Sequence, residues 1–221
     1  MAAFDVLPLG DGALLLRPTT NINANILLQL RERILAADLP GLTEVVVGYE
    51  SLAVFGEPRA LDSAAPAIRN ILLDAFELGR RMGAPKVVEI PVCYDAEFAL
   101  DLEAVAQRSG VPTEEVVRLH VSGEYRVRCV GFTPGFPYLS GLPAALATPR
   151  RSTPRTKVPA GSVAIGWGQT GIYPTVSPGG WNVIGRTPLQ LFDPRRDPPA
   201  LLRAGDQVRF RSITRAEFLA A

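Results

Sequence analysis

The sequence is poor in the residue types that metal, disulfide and carrier chemistry requires. Its 221 residues include one histidine and two cysteines, and only Lys86 and Lys157 are lysines. A single histidine excludes HExxH zinc sites and multi-histidine clusters, and Cys93 and Cys129 are too few for a disulfide framework. Both lysines precede valine, which excludes a P-loop, and neither has the methionine neighbours of a biotin carrier. We therefore expect no protein-bound metal and no biotin attachment site.

Long apolar runs and a strong net charge are also absent. No apolar run approaches the roughly 20 residues that span a bilayer. The segment Met1 to Gly10 contains Asp5 and lacks the basic start and long apolar stretch of a signal peptide. The net charge of +1 gives no general attraction to nucleic acid or to an anionic membrane. These features predict a cytoplasmic protein that binds neither nucleic acid nor membrane.

Positive charge is concentrated in the C-terminal half of the chain. Residues 147 to 215 contain 11 Lys and Arg against 3 Asp and Glu, a local charge of +8, and the remainder carries −7. One interpretation is a set of solvated surface arginines. The other is that this half faces an anion, such as a phosphate, a carboxylate or an acidic partner surface.

The first 92 residues alternate between strand and helix patterns. The segments are, in order, a strand at Ala13 to Leu16, a helix at Ile22 to Ile34, strands at Glu44 to Tyr49 and Leu52 to Phe55, a helical face at Ile68, Ile71, Leu72, Ala75, Phe76 and Gly79, and a strand at Lys86 to Val92. Gly83-Ala84-Pro85 ends the second helix. The order βαββαβ predicts a ferredoxin-like α+β domain, which we place at residues 1–88.

After Val92 the pattern changes to short strands and turns. Asp101 to Ser109 and Pro112 to His120 predict two short helices separated by Gly110. Residues 131 to 199 contain 12 of the 20 prolines and 10 of the 20 glycines, so strands there must be short and joined by tight turns. The strand candidates are Tyr125 to Val130, Ser162 to Ile165, Asn182 to Ile184, Leu189 to Phe192 and Gln207 to Ile213. We predict an all-β barrel domain at residues 89–221.

Three Gly- and Pro-rich strings are the most distinctive part of the sequence. They are GFTPGFPYLSGLP at 131–143, PRRSTPRTKVPAGSVAI at 149–165 and GQTGIYPTVSPGGWNVIGRTP at 168–188. In this order they resemble the family that includes allophanate hydrolase subunit 1, the B-type subunit of 5-oxoprolinase and the kinase inhibitor KipI. The resemblance covers nearly the whole chain and implies a cyclophilin-like barrel. The chain departs from the family pattern at Asp95-Ala96, Ala99-Leu100 and Trp167, where small residues or Gly-Pro are usual.

These strings carry the candidate binding residues. Glycines allow close approach of backbone N–H groups to an anion, prolines stiffen the turns, and aromatic rings supply flat apolar walls. Arg155 adds a guanidinium group for a carboxylate or phosphate. The alternative is that the glycines and prolines only turn barrel corners, with the aromatic residues in the core. The candidate substrate- or nucleotide-binding residues are Gly135, Phe136, Pro137, Tyr138, Arg155, Gln169, Thr170, Tyr173, Ser177, Pro178, Gly179, Gly180 and Trp181.

His120 and Arg186 are the candidate catalytic residues. His120 is the only side chain of a type that ordinarily titrates near neutrality, and the resemblance places a histidine at this position. A lone histidine at the end of a helix also suits a structural role. Arg186 lies between Gly185 and Pro188 with no acidic neighbour in sequence, so it is our choice for the anion contact. We expect both residues to meet the binding loops in one cleft at the barrel rim.

Two other features are interpreted as structural. Residues 166 to 171 match GxGxxG, but Ile172-Tyr173-Pro174 stands where a phosphate-binding helix would begin, so the match is accidental. Cys93 and Cys129 lie in strand patterns and are expected to be buried as small apolar residues.

The resemblance implies a function within a complex. Oxoprolinase members of the family use ATP, with magnesium, to open the lactam of 5-oxoproline and form L-glutamate. This chain has no recognisable nucleotide motif, so its site would be shared with a C-type subunit, an A-type subunit would complete the reaction, and the chain alone would be inactive. Two alternatives are a KipI-like inhibitor of a sensor histidine kinase and a component of urea or allophanate metabolism, either an allophanate hydrolase or a carboxyltransferase-type module.

Overall fold

Residues 4–20, 22, 24–73 and 86–221 are described by the computed structural model of the chain. The chain divides into two units, Met1–Pro85 and Lys86–Ala221. Lys86, Val87 and Val88, which the sequence pattern assigns to the first domain, belong to the second unit, because the strand that they begin pairs there.

Among the described residues of the first unit, two helices cover a four-stranded antiparallel sheet. The elements are β1 (Phe4–Pro8), β2 (Ala13–Pro18), α1 (Ala24–Ala36), β3 (Leu42–Val47), β4 (Leu52–Gly56) and α2 (Pro58–Leu73), and the strand order is β1-β2-β4-β3. Leu27 and Leu30 of α1 and Ile68 of α2 lie in one buried cluster with Leu16 and Val54 of the sheet. The helical spacing of these apolar residues therefore forms the core of the first unit.

The predicted ferredoxin-like arrangement is not confirmed. The sheet begins with β1, which the sequence pattern does not predict, and the strand at Val87–Cys93 (β5) pairs in parallel with Gln207–Ile213 (β13) in the second unit. The prediction that this strand completes the first sheet is therefore wrong. Its partner is too distant along the chain for local periodicity to reveal the pairing. The predicted helix positions Ala75, Phe76 and Gly79 and the break at 83–85 lie outside the described residues.

The second unit contains a closed barrel of seven strands in the order β10-β7-β6-β13-β5-β12-β9. The other strands of this unit are β6 (Tyr125–Val130), β7 (Pro137–Ser140), β8 (Arg155–Val158), β9 (Ser162–Gly166), β10 (Gln169–Ile172), β11 (Ser177–Gly179) and β12 (Asn182–Arg186), and the helices are α3 (Leu102–Ser109), α4 (Thr113–Ser122), α5 (Arg215–Ala220) and a short 3-10 helix (Ala144–Leu146). Strands β8 and β11 form a separate two-stranded sheet. The barrel is confirmed, and its cyclophilin-like character stays a prediction.

Strand alternation gives the barrel two apolar faces. Val163 and Ile165 of β9 belong to a large core to which all seven barrel strands contribute, together with α3 and α4. Ala164, which lies between them, belongs to a second cluster on the outer face. Helices α3 and α4 occur where they are predicted, but residues 189–192 do not form a strand, since only Phe192 makes an isolated bridge.

Candidate functional site

His120 is enclosed in the core inside the barrel. The last turn of α4 places its side chain at 0% exposure. Nδ1 lies 2.8 Å from the hydroxyl of Tyr94, and Nε2 lies 3.3 Å from Oγ1 of Thr170. The ring packs against Phe210 and Tyr125, with centroids 4.5 and 5.3 Å away, and the Tyr125 hydroxyl donates to the His120 carbonyl oxygen at 2.9 Å. Both nitrogens of a neutral imidazole therefore have hydroxyl partners.

Burial keeps this imidazole neutral. Removal from water lowers the pKa of His120 to about 3 from its ordinary value of 6.5. Burial also raises the pKa of the Tyr94 and Tyr125 hydroxyls, so both stay protonated. Because His120 has no solvent exposure, the structure gives it no direct access to a ligand in solution. Its geometry fits the structural interpretation, and its catalytic role stays a prediction.

The aromatic residues of the predicted loops pack together on the outer face of the barrel. Phe136 lies 5.1 Å from Tyr173 and 5.7 Å from Trp181 between ring centroids, in edge-to-face geometry. Tyr138 lies 4.9 Å from Phe136, and the guanidinium of Arg150 lies 5.7 Å from the centre of the Trp181 ring. Phe136, Tyr173 and Trp181 are each at most 5% exposed. Most of this aromatic surface therefore forms a packed core, as in the structural alternative.

Two glycines of β9 and β10 make room for this cluster. A Cβ at Gly171 would lie 2.7 Å from the Phe136 ring, and one at Gly166 would lie 2.6 Å from the Trp181 ring. Trp167-Gly168 forms the turn between β9 and β10, so a strand follows where a phosphate-binding helix would begin. The interpretation of the GxGxxG match as accidental is therefore confirmed.

Asp101, which no sequence motif marks, orients two arginines. It is 4% exposed, and its carboxylate accepts hydrogen bonds from Arg151 Nη1 at 2.6 Å and from Arg155 Nη1 and Nη2 at 2.7 and 2.9 Å. It also accepts the backbone N–H of Val183 at 2.8 Å. The predicted ligand-binding group of Arg155 is thus held in an ion pair. No local signal could have found this pair, because Arg155 lies 54 residues from Asp101.

Arg186 lines an open cavity of about 470 Å³. Its Nε donates a hydrogen bond to the carbonyl oxygen of Ala160 at 2.7 Å, and its guanidinium carbon lies 5.8 Å from the centre of the Phe218 ring. Among the described residues, no protein acceptor is hydrogen-bonded to its Nη nitrogens. None of the ten described lining residues is Asp or Glu. The cavity is therefore suited to an anion, as the sequence predicts for Arg186.

The predicted residues occupy three places in the second unit. His120 and Thr170 lie inside the barrel, the aromatic cluster lies on its outer face, and Arg186 lines its own cavity. The other predicted residues lie in strands and turns that lead into or border the cluster: Gly135, Pro137, Gln169, Ser177, Pro178, Gly179 and Gly180. The expectation of a single cleft is therefore wrong. Alternation along β10 directs Thr170 inward and leaves Gly171 against the outer aromatic rings.

Several arginines of the basic half are paired with carboxylates. Arg195 pairs with Asp193 and Arg211 with Glu89. In the described ranges, no helix is long and apolar enough to cross a membrane, and no three His, Cys, Asp or Glu are grouped to hold a metal ion. The local excess of positive charge is thus partly neutralised, and Arg186 stands apart because its cavity lining is free of acidic residues.

Three large apolar side chains in loops of the second unit are each more than 60% exposed. Phe132 is 62% exposed, Trp167 61% and Val176 62%. Phe132 and Trp167 also have positive φ, at 68° and 57°, a conformation that is uncommon for bulky residues. Exposed aromatic residues on constrained loops are typical of protein–protein contacts. Cys93 and Cys129 are both buried, as predicted.

The chain matches known proteins over nearly its whole length. Residues 4–202 match the carboxyltransferase domain, subdomain C and D. The 5-oxoprolinase B subunit of Bacillus subtilis (strain 168) is 39% identical over 233 residues, covering 97% of this chain and 95% of that protein. The 5-oxoprolinase B subunit of Escherichia coli O157:H7 is 43% identical over 206 residues, covering 91% and 93%. A conserved uncharacterized protein from Pyrococcus horikoshii, of known crystal structure, is 39% identical with a TM-score of 0.59, covering 97% of this chain and 100% of that one. The chain therefore belongs to the family of the carboxyltransferase domain, subdomain C and D, which it shares with 5-oxoprolinase B subunits.

Proposed function

We propose that this chain is the B subunit of an ATP-dependent 5-oxoprolinase complex that opens the lactam of 5-oxoproline to L-glutamate. The observation that carries the proposal is the likeness, over nearly the whole chain, to proteins named as B subunits of 5-oxoprolinase. A protein of this kind acts with other subunits. We propose a C-type subunit that completes the site and an A-type subunit that finishes the reaction, with the isolated chain inactive and the complex located in the cytoplasm.

The chemistry explains why such a site is divided. An amide carbonyl resists hydrolysis, and transfer of a phosphoryl group from ATP to the carbonyl oxygen creates an activated centre with a good leaving group. The described residues offer an anion contact at Arg186. We propose that ATP and its magnesium are bound at a site that this chain shares with the C-type subunit.

Arg186 is the residue of this chain that best fits the reaction. Its Nε is held by the carbonyl oxygen of Ala160, and the residue lines a cavity whose lining contains no Asp or Glu. In that position the guanidinium holds a carboxylate, and the positive charge also stabilises negative charge that develops nearby. His120 is closed off from solvent, so it orders α4 and the barrel strands around the site.

The exposed loop residues supply the surface for the C-type subunit. Phe132, Trp167 and Val176 are well suited to insert into a partner, because each presents a large exposed apolar side chain, and Phe132 and Trp167 do so from a constrained backbone. A stable interface of this kind buries roughly 1,200–2,000 Å² in total. Association is therefore expected to precede activity.

Reconstitution tests the proposal. The chain is combined with candidate C-type and A-type subunits, and 5-oxoproline, urea and allophanate are offered in parallel with ATP. We expect glutamate from 5-oxoproline with the full set and none from the isolated chain. Arg186→Met should abolish most turnover, whereas Arg203→Met, a matched change in an exposed turn, should not. Turnover of urea or allophanate instead of 5-oxoproline contradicts the proposed substrate, and inhibition of a sensor histidine kinase without any turnover favours the KipI-like alternative.

A further inference from the structure

We infer that Phe218, on the C-terminal helix α5, positions the Arg186 guanidinium and forms the wall of a pocket for a small monoanionic carboxylate. The identity of that carboxylate as 5-oxoproline rests on the proposed function. The positioning role is independent of it, since it follows from contacts within the second unit.

The Arg186 guanidinium has two contacts within the chain, a hydrogen bond at its Nε and an aromatic ring beside it. The Nε edge is held by the Ala160 carbonyl oxygen, and the Phe218 ring lies beside the guanidinium carbon. The anchoring loop cannot move aside easily. A Cβ at Gly161, which has a φ of 80°, would lie 2.2 Å from the Thr187 carbonyl oxygen, and the Thr187 N–H donates to the Gly161 carbonyl oxygen at 2.9 Å. The Nη edge is therefore left to face the cavity.

Helix α5 is itself held in place, although six residues are too few for a stable isolated helix. Thr214 and Glu217 form a reciprocal capping box at its start. The Arg215 guanidinium pairs with Glu97, and the Phe218 ring packs against Phe98 with centroids 4.3 Å apart. Phe218 is thus presented to Arg186 by a segment tied to the chain that follows β5.

The lining of the cavity selects a class of ligand. Pro174, Leu189 and Phe218 give apolar walls, while Arg186 and Gln190 give one cation and one amide. One cation matches one carboxylate, and an amide side chain pairs with an amide of the ligand. A triphosphate carries several negative charges, and this lining has a single cation. The pocket therefore fits a small acid with a lactam, and the phosphates of ATP belong elsewhere.

Steady-state kinetics of the reconstituted complex test the inference. We expect Phe218→Leu to raise the KM for 5-oxoproline about 2- to 30-fold, the range of a cation–π contact. The KM for ATP should change less than about twofold, since nucleotide binding does not use this contact. Phe218→Tyr keeps the ring and should restore the wild-type KM. Leu219→Ala, at the adjacent and 62% exposed position, is the matched control and should have no effect.

Ligand-observed NMR on the isolated full chain gives a readout that needs no turnover. The wild-type chain should bind 5-oxoproline but not its neutral carboxamide, and Phe218→Leu should weaken binding of the acid. If Phe218→Leu changes neither KM nor binding, the positioning role is overturned. If it raises the KM for ATP instead, the ligand assignment is overturned. If the complex does not turn over 5-oxoproline, the proposed function is contradicted, but the role of Phe218 is not. The NMR comparison then decides that role. If the wild-type chain does not bind 5-oxoproline, the role of Phe218 is overturned as well.

Discussion

The stability of the second unit should fall between pH 7 and pH 5 because of one residue. His120 is the only histidine in the chain, and burial lowers its pKa to about 3 in the folded state. The unfolded chain takes up a proton near its ordinary value of 6.5, whereas the folded chain does not. Stability is therefore fully present above that value and is lost as the pH falls toward the folded pKa.

The magnitude follows from the two pKa values. Well below 6.5 the slope approaches about 1.4 kcal/mol per pH unit, which gives a loss of about 2 kcal/mol in the free energy of unfolding between pH 7 and pH 5. This is a large share of the roughly 5–15 kcal/mol that stabilises a typical domain. Solvent does not screen this effect on the free energy of unfolding, because His120 is 0% exposed.

Urea denaturation followed by tryptophan fluorescence measures this loss. Trp167 and Trp181 both lie in the second unit, so the signal reports its unfolding. His120→Gln should remove most of the pH slope, whatever its effect on stability at pH 7. Tyr94→Phe removes a hydrogen-bond partner but keeps the buried imidazole, so it should retain the slope. A wild-type free energy of unfolding that is flat between pH 7 and pH 5, or a full slope in His120→Gln, would show that burial of His120 does not cause the pH dependence.

Three further predictions test the packing and the surface of the second unit. Asp101→Asn should lower the free energy of unfolding by about 2–3 kcal/mol in urea titrations, less than for a fully buried pair because its arginines are partly solvated; no change would show that the ion pairs are incidental. Gly171→Ala should cost about 1–3 kcal/mol, because the new methyl group lies against the Phe136 ring, and unchanged thermal melting would contradict this. Phe132→Ser should weaken association with the C-type subunit at least about tenfold in size-exclusion or calorimetric titrations and leave melting unchanged; equal affinity would remove Phe132 from the interface.

Local sequence patterns predict the elements whose limits are set by nearby residues. Helix α3 ends just before Gly110, and helix α4 begins just after Pro112. Gly110 has a φ of 69°, the left-handed conformation that commonly ends a helix. The turn-rich composition of residues 131–199 likewise indicates short barrel strands. Each of these features depends on residues close in sequence, which is why a single sequence is enough.

Pairings between distant segments cannot be predicted in the same way. The sequence pattern predicts β5 as the last strand of the first domain. In the structure, its seven residues pair with β13 near the end of the chain. Asp101 looks like an ordinary residue before a helix, and only the fold brings Arg151 and Arg155 to it. Periodicity carries no information on partners at such separations, so it reveals neither the domain limit nor the ion-pair cluster.

In the candidate site, too, one residue can be found from its neighbours in sequence and another only from its contacts in the fold. Arg186 can be selected from the sequence because no acidic residue lies beside it, and the structure places it at the end of β12, where it lines a cavity. Phe218 cannot be identified from the sequence, because its role depends on contacts with Arg186 and Phe98, which lie far from it along the chain. A guanidinium binds a carboxylate more tightly when its orientation is fixed in advance, because ordering it on binding costs conformational entropy. The sequence can therefore name the charged group, but the residue that makes the charge effective is found only in the folded chain.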